Sequence, residues 1–281
     1  MTNKPVVFFG TPDFAARVLT GIIQSGILPV MVISMPDRPQ GRGYQSFPTP
    51  VKLVAQAAGI PCSAPLNVDQ LSLVLSTLPP FLGLVVAYGM ILPEGMVQQY
   101  DLVNLHASLL PRYRGASPIQ AALLNGDVYT GMSLMRIDKG VDAGDIIATR
   151  EVPIEHHDQA ETLMVKLTKA SISLFVKKYQ EGGLPWRGLP QDPSKATYTK
   201  KIKREDGLID FSTDSAALIY RKWQAYTPWP GVFVFHKGKR VKLIEIELNH
   251  NQLVIQKVQC EGKSVSDYQS FVNGNGSLLT P

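Results

Sequence analysis

Cysteine is scarce in this chain: Cys62 and Cys260 are its only two among 281 residues, and they lie far apart. Two such thiols make no disulfide framework, and neither has the CxxC partner of a redox or zinc motif. Histidine is sparse as well. His106, His156, His157, His236 and His250 include no pair at zinc-type spacing with Cys or Glu, so no metal site is expected. Long apolar runs are missing. No stretch reaches the roughly 20 residues that span a bilayer, and residues 1–5 lead into an apolar strand without a signal-peptide layout. A cytoplasmic protein with no membrane partner is expected. The GxGxxG fingerprint is also absent. The first strand–helix turn reads Gly10-Thr11-Pro12-Asp13, with an acid where a pyrophosphate would approach. That disfavours a dehydrogenase using a nicotinamide cofactor.

What is present is an ordinary globular composition, 44% hydrophobic and 18% charged, enough for a real core. The net charge of +5 permits an anionic partner without requiring one. Residues 6–9 form a short apolar run. A helical pattern follows, with Ala15, Val18, Leu19, Ile22 and Ile23 on one face. Thr11 suits its N-cap, Pro12 its first position, and Asp13 its positive end. Further strands are expected at 30–34, 82–87, 103–106, 132–137 and 146–152, and helices at 51–58, 118–125 and 159–181. The continuous apolar run at 82–87 suits a strand buried on both faces. Strand alternating with helix implies an α/β fold, a doubly wound, Rossmann-like, mainly parallel sheet.

The pattern changes after Glu181. Gly182-Gly183-Leu184-Pro185 ends the long helix, and a polar, Pro-rich segment runs to about Arg204. A helix at 215–225 and short alternating runs at 232–236, 240–247 and 253–258 suggest a small antiparallel, barrel-like domain. The expected organisation is a domain at 1–187, a linker at 188–204 and a second domain at 205–281.

Four stretches could carry chemistry. Asn104 and His106 alternate along a strand, so both face one side, at the strand end where open α/β sheets place ligands. An amide beside an imidazole suits an oxyanion. Equally, Asn104 could cap the strand and His106 be a satisfied polar residue. The loop 138–145 holds Asp138, Asp142 and Asp145 without the register of a calcium loop. It reads as a solvated turn, or as a loop whose carboxylate orients His106. Residues 85–93 read as core plus turn, or as an apolar wall for a flat ring. Residues 36–52 form a long Pro- and Gly-rich loop with Arg38 and Arg42. It is either solvated or a phosphate-binding element, for which arginine is the better residue.

Taken together, FGTPDFA, PDRPQGRG with TPVK, VVAYGMILP, NLHASLLPRYRGASPIQ, GVDAGD, TYTKKI and TPWPG occur in the order found in methionyl-tRNA formyltransferases. The resemblance runs from residue 8 to about residue 245. It implies transfer of a formyl group from 10-formyltetrahydrofolate to the methionine amine of initiator methionyl-tRNA, in translation initiation. By position, it implies that Asn104 and protonated His106 stabilise the oxyanion and that Asp142 supports His106 and assists proton transfer. Val86, Ala87, Tyr88 and Gly89, with Ser108, Leu109, Leu110 and Pro111, would border the folate. Arg38, Arg42, Lys200, Lys201, Lys203 and Arg204 would meet the tRNA, and Arg112 and Arg114 are placed with them on one face. The second domain would be an OB-like β-barrel, and the protein a monomer. The chain departs from the family at Tyr44 and Gln45, where more basic residues are usual. It departs again at Asn249-His250-Asn251, which replaces a longer stretch and implies a shortened barrel. Rival readings are a formyltransferase for an amino-sugar nucleotide, a hydrolase releasing formate from 10-formyltetrahydrofolate, and a non-catalytic tRNA-binding protein.

Overall fold

The computed structural model describes residues 4–40 and 45–279. In chain order the first elements are β1 (Val6–Gly10), α1 (Asp13–Gln24), β2 (Met31–Ile33), β3 (Arg38–Gln40), β4 (Gln45–Phe47), α2 (Pro50–Ala57), β5 (Cys62–Ser63), α3 (Val68–Ser76) and β6 (Leu82–Val86). Then come α4 (Glu94–Gln99), β7 (Asp101–His106), β8 (Arg114–Gly115), α5 (Pro118–Asn125), β9 (Tyr129–Arg136), β10 (Ile146–Pro153), α6 (Ala160–Glu181) and β11 (Tyr198–Thr199). The last are α7 (Ala216–Tyr226), β12 (Val232–His236), β13 (Lys239–Asn249), β14 (Gln252–Cys260), β15 (Val265–Asp267) and α8 (Tyr268–Asn275). The chain divides into two compact units. The first holds Met1–Arg114, Gly131–Val152 and Val165–Tyr198; the second holds Gly115–Thr130, Pro153–Met164 and Thr199–Pro281.

The first unit is built on a seven-stranded sheet in the order β10-β9-β7-β6-β1-β2-β5. The run from β5 to β7 is parallel, and β9 turns antiparallel against β7. β1 and β6 are buried at every position because helices cover both faces of the sheet. Phe8, Phe9, Leu82 and Leu84 have no solvent exposure, and each such side chain contributes about 1.5–3 kcal/mol by leaving water. The parallel strands all point their C-terminal ends the same way. The turns after β1, β6 and β7 therefore gather at one edge of the sheet.

Several local expectations change. Pro12, not Thr11, is the N-cap of α1, without a side-chain cap. The Thr11 hydroxyl instead donates to the Tyr88 carbonyl and accepts from the Met35 amide. It ties the first strand's turn to the turn after β6. α3 and α4 are helices where none was expected. Leu71, Leu73 and Leu75 alternate as a strand would, yet Leu71 and Leu75 are buried while Leu73 is exposed. The Asn67 side chain caps α3 by accepting from Gln70. α4 is only six residues long and contains Gly95, so its pattern is too short to show. The stretch at 36–52 is not wholly irregular, since β3 and β4 pair antiparallel with Arg38 opposite Phe47.

In the second unit, β12-β13-β14-β15 form a four-stranded antiparallel sheet. Val232, Val241, Leu243, Ile246 and Val258 are buried, as is Phe271 of α8. The abbreviated stretch at Asn249-His250-Asn251 is a tight hairpin. Asn249 pairs with Gln252 across a two-residue turn, and His250 and Asn251 have φ of 49° and 65°. Two positive φ values in a row mark the type I′ turn, whose twist matches that of the strands it joins. α5 packs on α7, and Trp223 of α7 donates to the Ile244 carbonyl at 3.1 Å. Residues 115–130 and 153–164 thus cluster with the C-terminal residues, whereas 188–198, expected in a linker, cluster with the first unit. Among the described residues no helix is long and apolar enough to cross a membrane.

Candidate active site

β7 brings Asn104 and His106 to the sheet's C-terminal edge, two residues apart and on the same side of the strand. Asn104 is half-buried and His106 is buried. Both imidazole nitrogens face acceptors. Nε2 lies 2.9 Å from the Tyr113 carbonyl oxygen, and Nδ1 lies 3.5 Å from Asp142 Oδ2. A ring with N–H on both nitrogens donates to both partners. The bond to Tyr113 fixes the ring, so Nε2 is not the nitrogen that greets a ligand. Nδ1, at longer range from its carboxylate, is the less constrained nitrogen.

Asp142 sits in the β9–β10 loop, whose neck is closed by the Arg136 amide donating to the Asp145 carbonyl at 2.9 Å. Its φ is 47°, the left-handed region that aspartate tolerates better than most residues. Ala87 and Tyr113 also have positive φ, 46° and 59°. Three non-glycine residues in this costly conformation flank one edge of the sheet, as such strain does at functional sites.

The loop after β7 is held from below. Ser133 of β9, with no exposure, donates to the Ser108 carbonyl at 2.7 Å and accepts from the Leu110 amide at 3.1 Å. Ser108 itself is buried and donates to the Arg112 carbonyl. Ser133 had no sequence signal, because its role depends on a loop some two dozen residues away. Gln191 was missed for the same reason. Its amide nitrogen donates to the Asp142 and Gly144 carbonyls at 2.9 and 2.8 Å.

The residues expected to border a flat ring divide into two groups. Ala87 and Gly89 are exposed, whereas Val86 and Tyr88 are buried. Tyr88 is 2% exposed and packs edge-on against Phe9 in the core cluster with Val7, Ile33 and Leu102. Its hydroxyl has no hydrogen-bond partner among the described residues, and burial pushes its pKa up to about 12. Its side chain packs as a core residue. Leu109 and Pro111 are half-buried, and Leu110 is buried.

Of the basic residues, Lys200, Lys201, Lys203 and Arg204 are exposed in the second unit. Arg42 lies outside the described residues, and of Arg38 only the backbone, in β3, is described. Arg112 is exposed with its guanidinium over the Tyr113 ring. Arg114 is not on an exposed face: it is 5% exposed and gives two hydrogen bonds to Gln191 Oε1. Among the described residues no cluster of three metal-ligating side chains occurs.

The Formyl transferase family model matches residues 3–178, and the Formyl transferase, C-terminal domain model matches residues 201–252. The methionyl-tRNA formyltransferase of Thermotoga neapolitana is 42% identical over 245 residues, covering 85% of this chain and 77% of the relative. The methionyl-tRNA formyltransferase of a Sulfurihydrogenibium species is 40% identical over 288 residues, covering 98% and 90%. The chain belongs to the methionyl-tRNA formyltransferase family. Its fold is also that of the N-formyltransferase from Helicobacter canadensis, solved with folinic acid and dTDP-3-aminofucose, at a TM-score of 0.64 and 19% identity over 90% of this chain and 95% of that one. The exposed backbone at Ala87 and Gly89, with little side chain above it, suits the edge of a flat ring.

Proposed function

We propose that this chain transfers the formyl group of 10-formyltetrahydrofolate to the methionine amine of initiator methionyl-tRNA. The observation that carries the chemistry is the 3.5 Å approach of Asp142 to His106 Nδ1, beside Asn104 on the same strand. The folate supplies the formyl group. When the amine attacks the formyl carbon, negative charge builds on its oxygen. The Asn104 amide donates to that oxygen, with the His106 imidazole beside it. One such donor typically contributes about 100-fold or more in rate. Asp142 faces Nδ1 and, directly or through a water, takes the proton that the amine loses as the new C–N bond forms. The same proton goes to the folate nitrogen as the old bond breaks. The co-substrate fits this edge because Ala87 and Gly89 leave main chain open to it, while Thr11 fixes the turn through the Tyr88 carbonyl.

The acceptor reading rests on the named relatives and on the exposed Lys200, Lys201, Lys203 and Arg204. Such residues neutralise phosphates, and four contacts of this kind lose on the order of 100-fold in affinity between 50 and 200 mM salt. An enzyme acting on a charged tRNA works where translation does, in the cytoplasm. The test is a discharge-and-identify assay with 10-formyltetrahydrofolate and, separately, initiator methionyl-tRNA, elongator methionyl-tRNA and an amino-sugar nucleotide. Formyl-methionine from the initiator tRNA alone is expected. Turnover of the sugar nucleotide without any tRNA product, or formate release that needs no acceptor, would refute the proposal.

A further inference from the structure

Tyr113 and Arg114 are neighbours in sequence, and each holds one partner of the His106–Asp142 pair. The Tyr113 carbonyl accepts from His106 Nε2 at 2.9 Å. The Arg114 guanidinium grips Gln191 Oε1 through Nε at 3.0 Å and Nη2 at 2.7 Å. The far end of the same Gln191 amide donates to the carbonyls of Asp142 and Gly144. The two-residue segment is itself pinned. The Tyr113 amide donates to Thr197 Oγ1 and the Arg114 amide to the Thr197 carbonyl, both at 2.8 Å. Arg114 also lies over the Tyr198 ring, 5.9 Å from its centre.

We infer that Gln191 is a positioning residue for the formyl-transfer step: it fixes the Asp142 loop at the distance from His106 that proton transfer requires. The inference rests on the proposed reaction and extends it to a side chain in the segment after α6. Three features favour this role over simple packing. Each oxygen and nitrogen of the Gln191 amide makes two hydrogen bonds, so its geometry is determined at both ends. Its acceptors are main-chain carbonyls on either side of Ala143, so it sets the path of the loop and not only one side chain. Asp142 is in a left-handed conformation that the surroundings must maintain. Arg114 supplies the buried charge that makes the link stiff, since hydrogen bonds from a cation are the stronger kind.

Gln191→Ala removes the link, and Gln191→Glu keeps the grip on Arg114, and with it a folded chain, while losing the donors to the loop. Both are to be measured beside wild type in single-turnover formylation of initiator methionyl-tRNA, with KM for both substrates, and Gln191→Ala also on an Asp142→Ala background. A displacement of about 1 Å costs on the order of 100-fold, so both single variants are expected to lose about that much in rate with KM nearly unchanged. Once the Asp142 carboxylate is gone, the loss of Gln191 is expected to cost nothing more, because coupled groups do not add. Hydrogen exchange over residues 138–145 is expected to quicken in Gln191→Ala whether or not the substrate is right. A wild-type rate in both variants, or an equal further loss on the Asp142→Ala background, overturns the inference. If wild type itself forms no product with this tRNA, the proposed reaction fails. The exchange measurement then decides the positioning role alone, and unchanged exchange rejects it.

Discussion

Gly144→Ala tests how narrowly the β9–β10 loop is built. Gly144 has no positive φ to justify a glycine; space does. A Cβ built there lies against the Arg136 carbonyl oxygen, closer than the 3.0 Å that real Cβ atoms keep. That atom is main chain in the last residue of β9, so no rotamer change relieves the clash. Either the loop lifts or the end of β9 shifts, and the Arg136–Asp145 hydrogen bond at the loop's neck is strained in both cases. A displacement approaching 1 Å is needed to restore contact distance, two residues from Asp142. Overpacking of this kind costs about 1–3 kcal/mol, and a misplacement of about 1 Å costs on the order of 100-fold in rate. The measurement is kcat for formyl transfer together with the denaturation midpoint. Gly95→Ala in α4 serves as a control, since a methyl added there meets no heavy atom within 4 Å. A Gly144→Ala enzyme with wild-type kcat and midpoint would show that the carboxylate's position is not what limits the reaction.

Asn104→Ala is expected to lower kcat by about 100-fold or more while binding of the charged tRNA, followed by filter retention, persists. His106→Ala is expected to do the same and to leave no further effect for Asp142→Ala to exert, measured as a double-mutant cycle. Tyr88→Phe removes a buried hydroxyl that has no partner among the described residues, so it should be neutral or stabilising by roughly 1 kcal/mol and leave KM for the folate unchanged. A rise in that KM would return Tyr88 to the binding site. His250→Asn, in a turn position at φ 49°, should stabilise the second unit by about 0.5 kcal/mol, since asparagine tolerates the left-handed region best after glycine. Urea denaturation followed by intrinsic fluorescence measures it.

Much of this was readable from local pattern. β1 and β6 announced themselves as unbroken apolar runs, which only a strand covered on both faces requires. The two-residue spacing of Asn104 and His106 placed them on one side of a strand before any coordinates. Which of the acids Asp138, Asp142 and Asp145 approaches the imidazole was not readable from spacing, because the answer depends on how a loop folds back. It came from family likeness. The inward turn of Tyr88 was hidden by Ala87, whose left-handed backbone breaks the strand's alternation and sends the next ring to Phe9. Arg114 looked like a surface cation until its partner Gln191, 77 residues away, was in view. Ser133 and Gln191 act only through contacts remote in sequence, and such residues carry no periodicity to read.

The backbone at Asp142 also restricts what could ever replace it. With φ at 47°, a branched or bulky side chain there meets its own main chain before it meets a substrate. Lengthening the acid by one methylene, as Asp142→Glu does, meets a conformational penalty as well as a change of reach. Anyone re-engineering this enzyme's proton transfer would do better to move the imidazole than the acid.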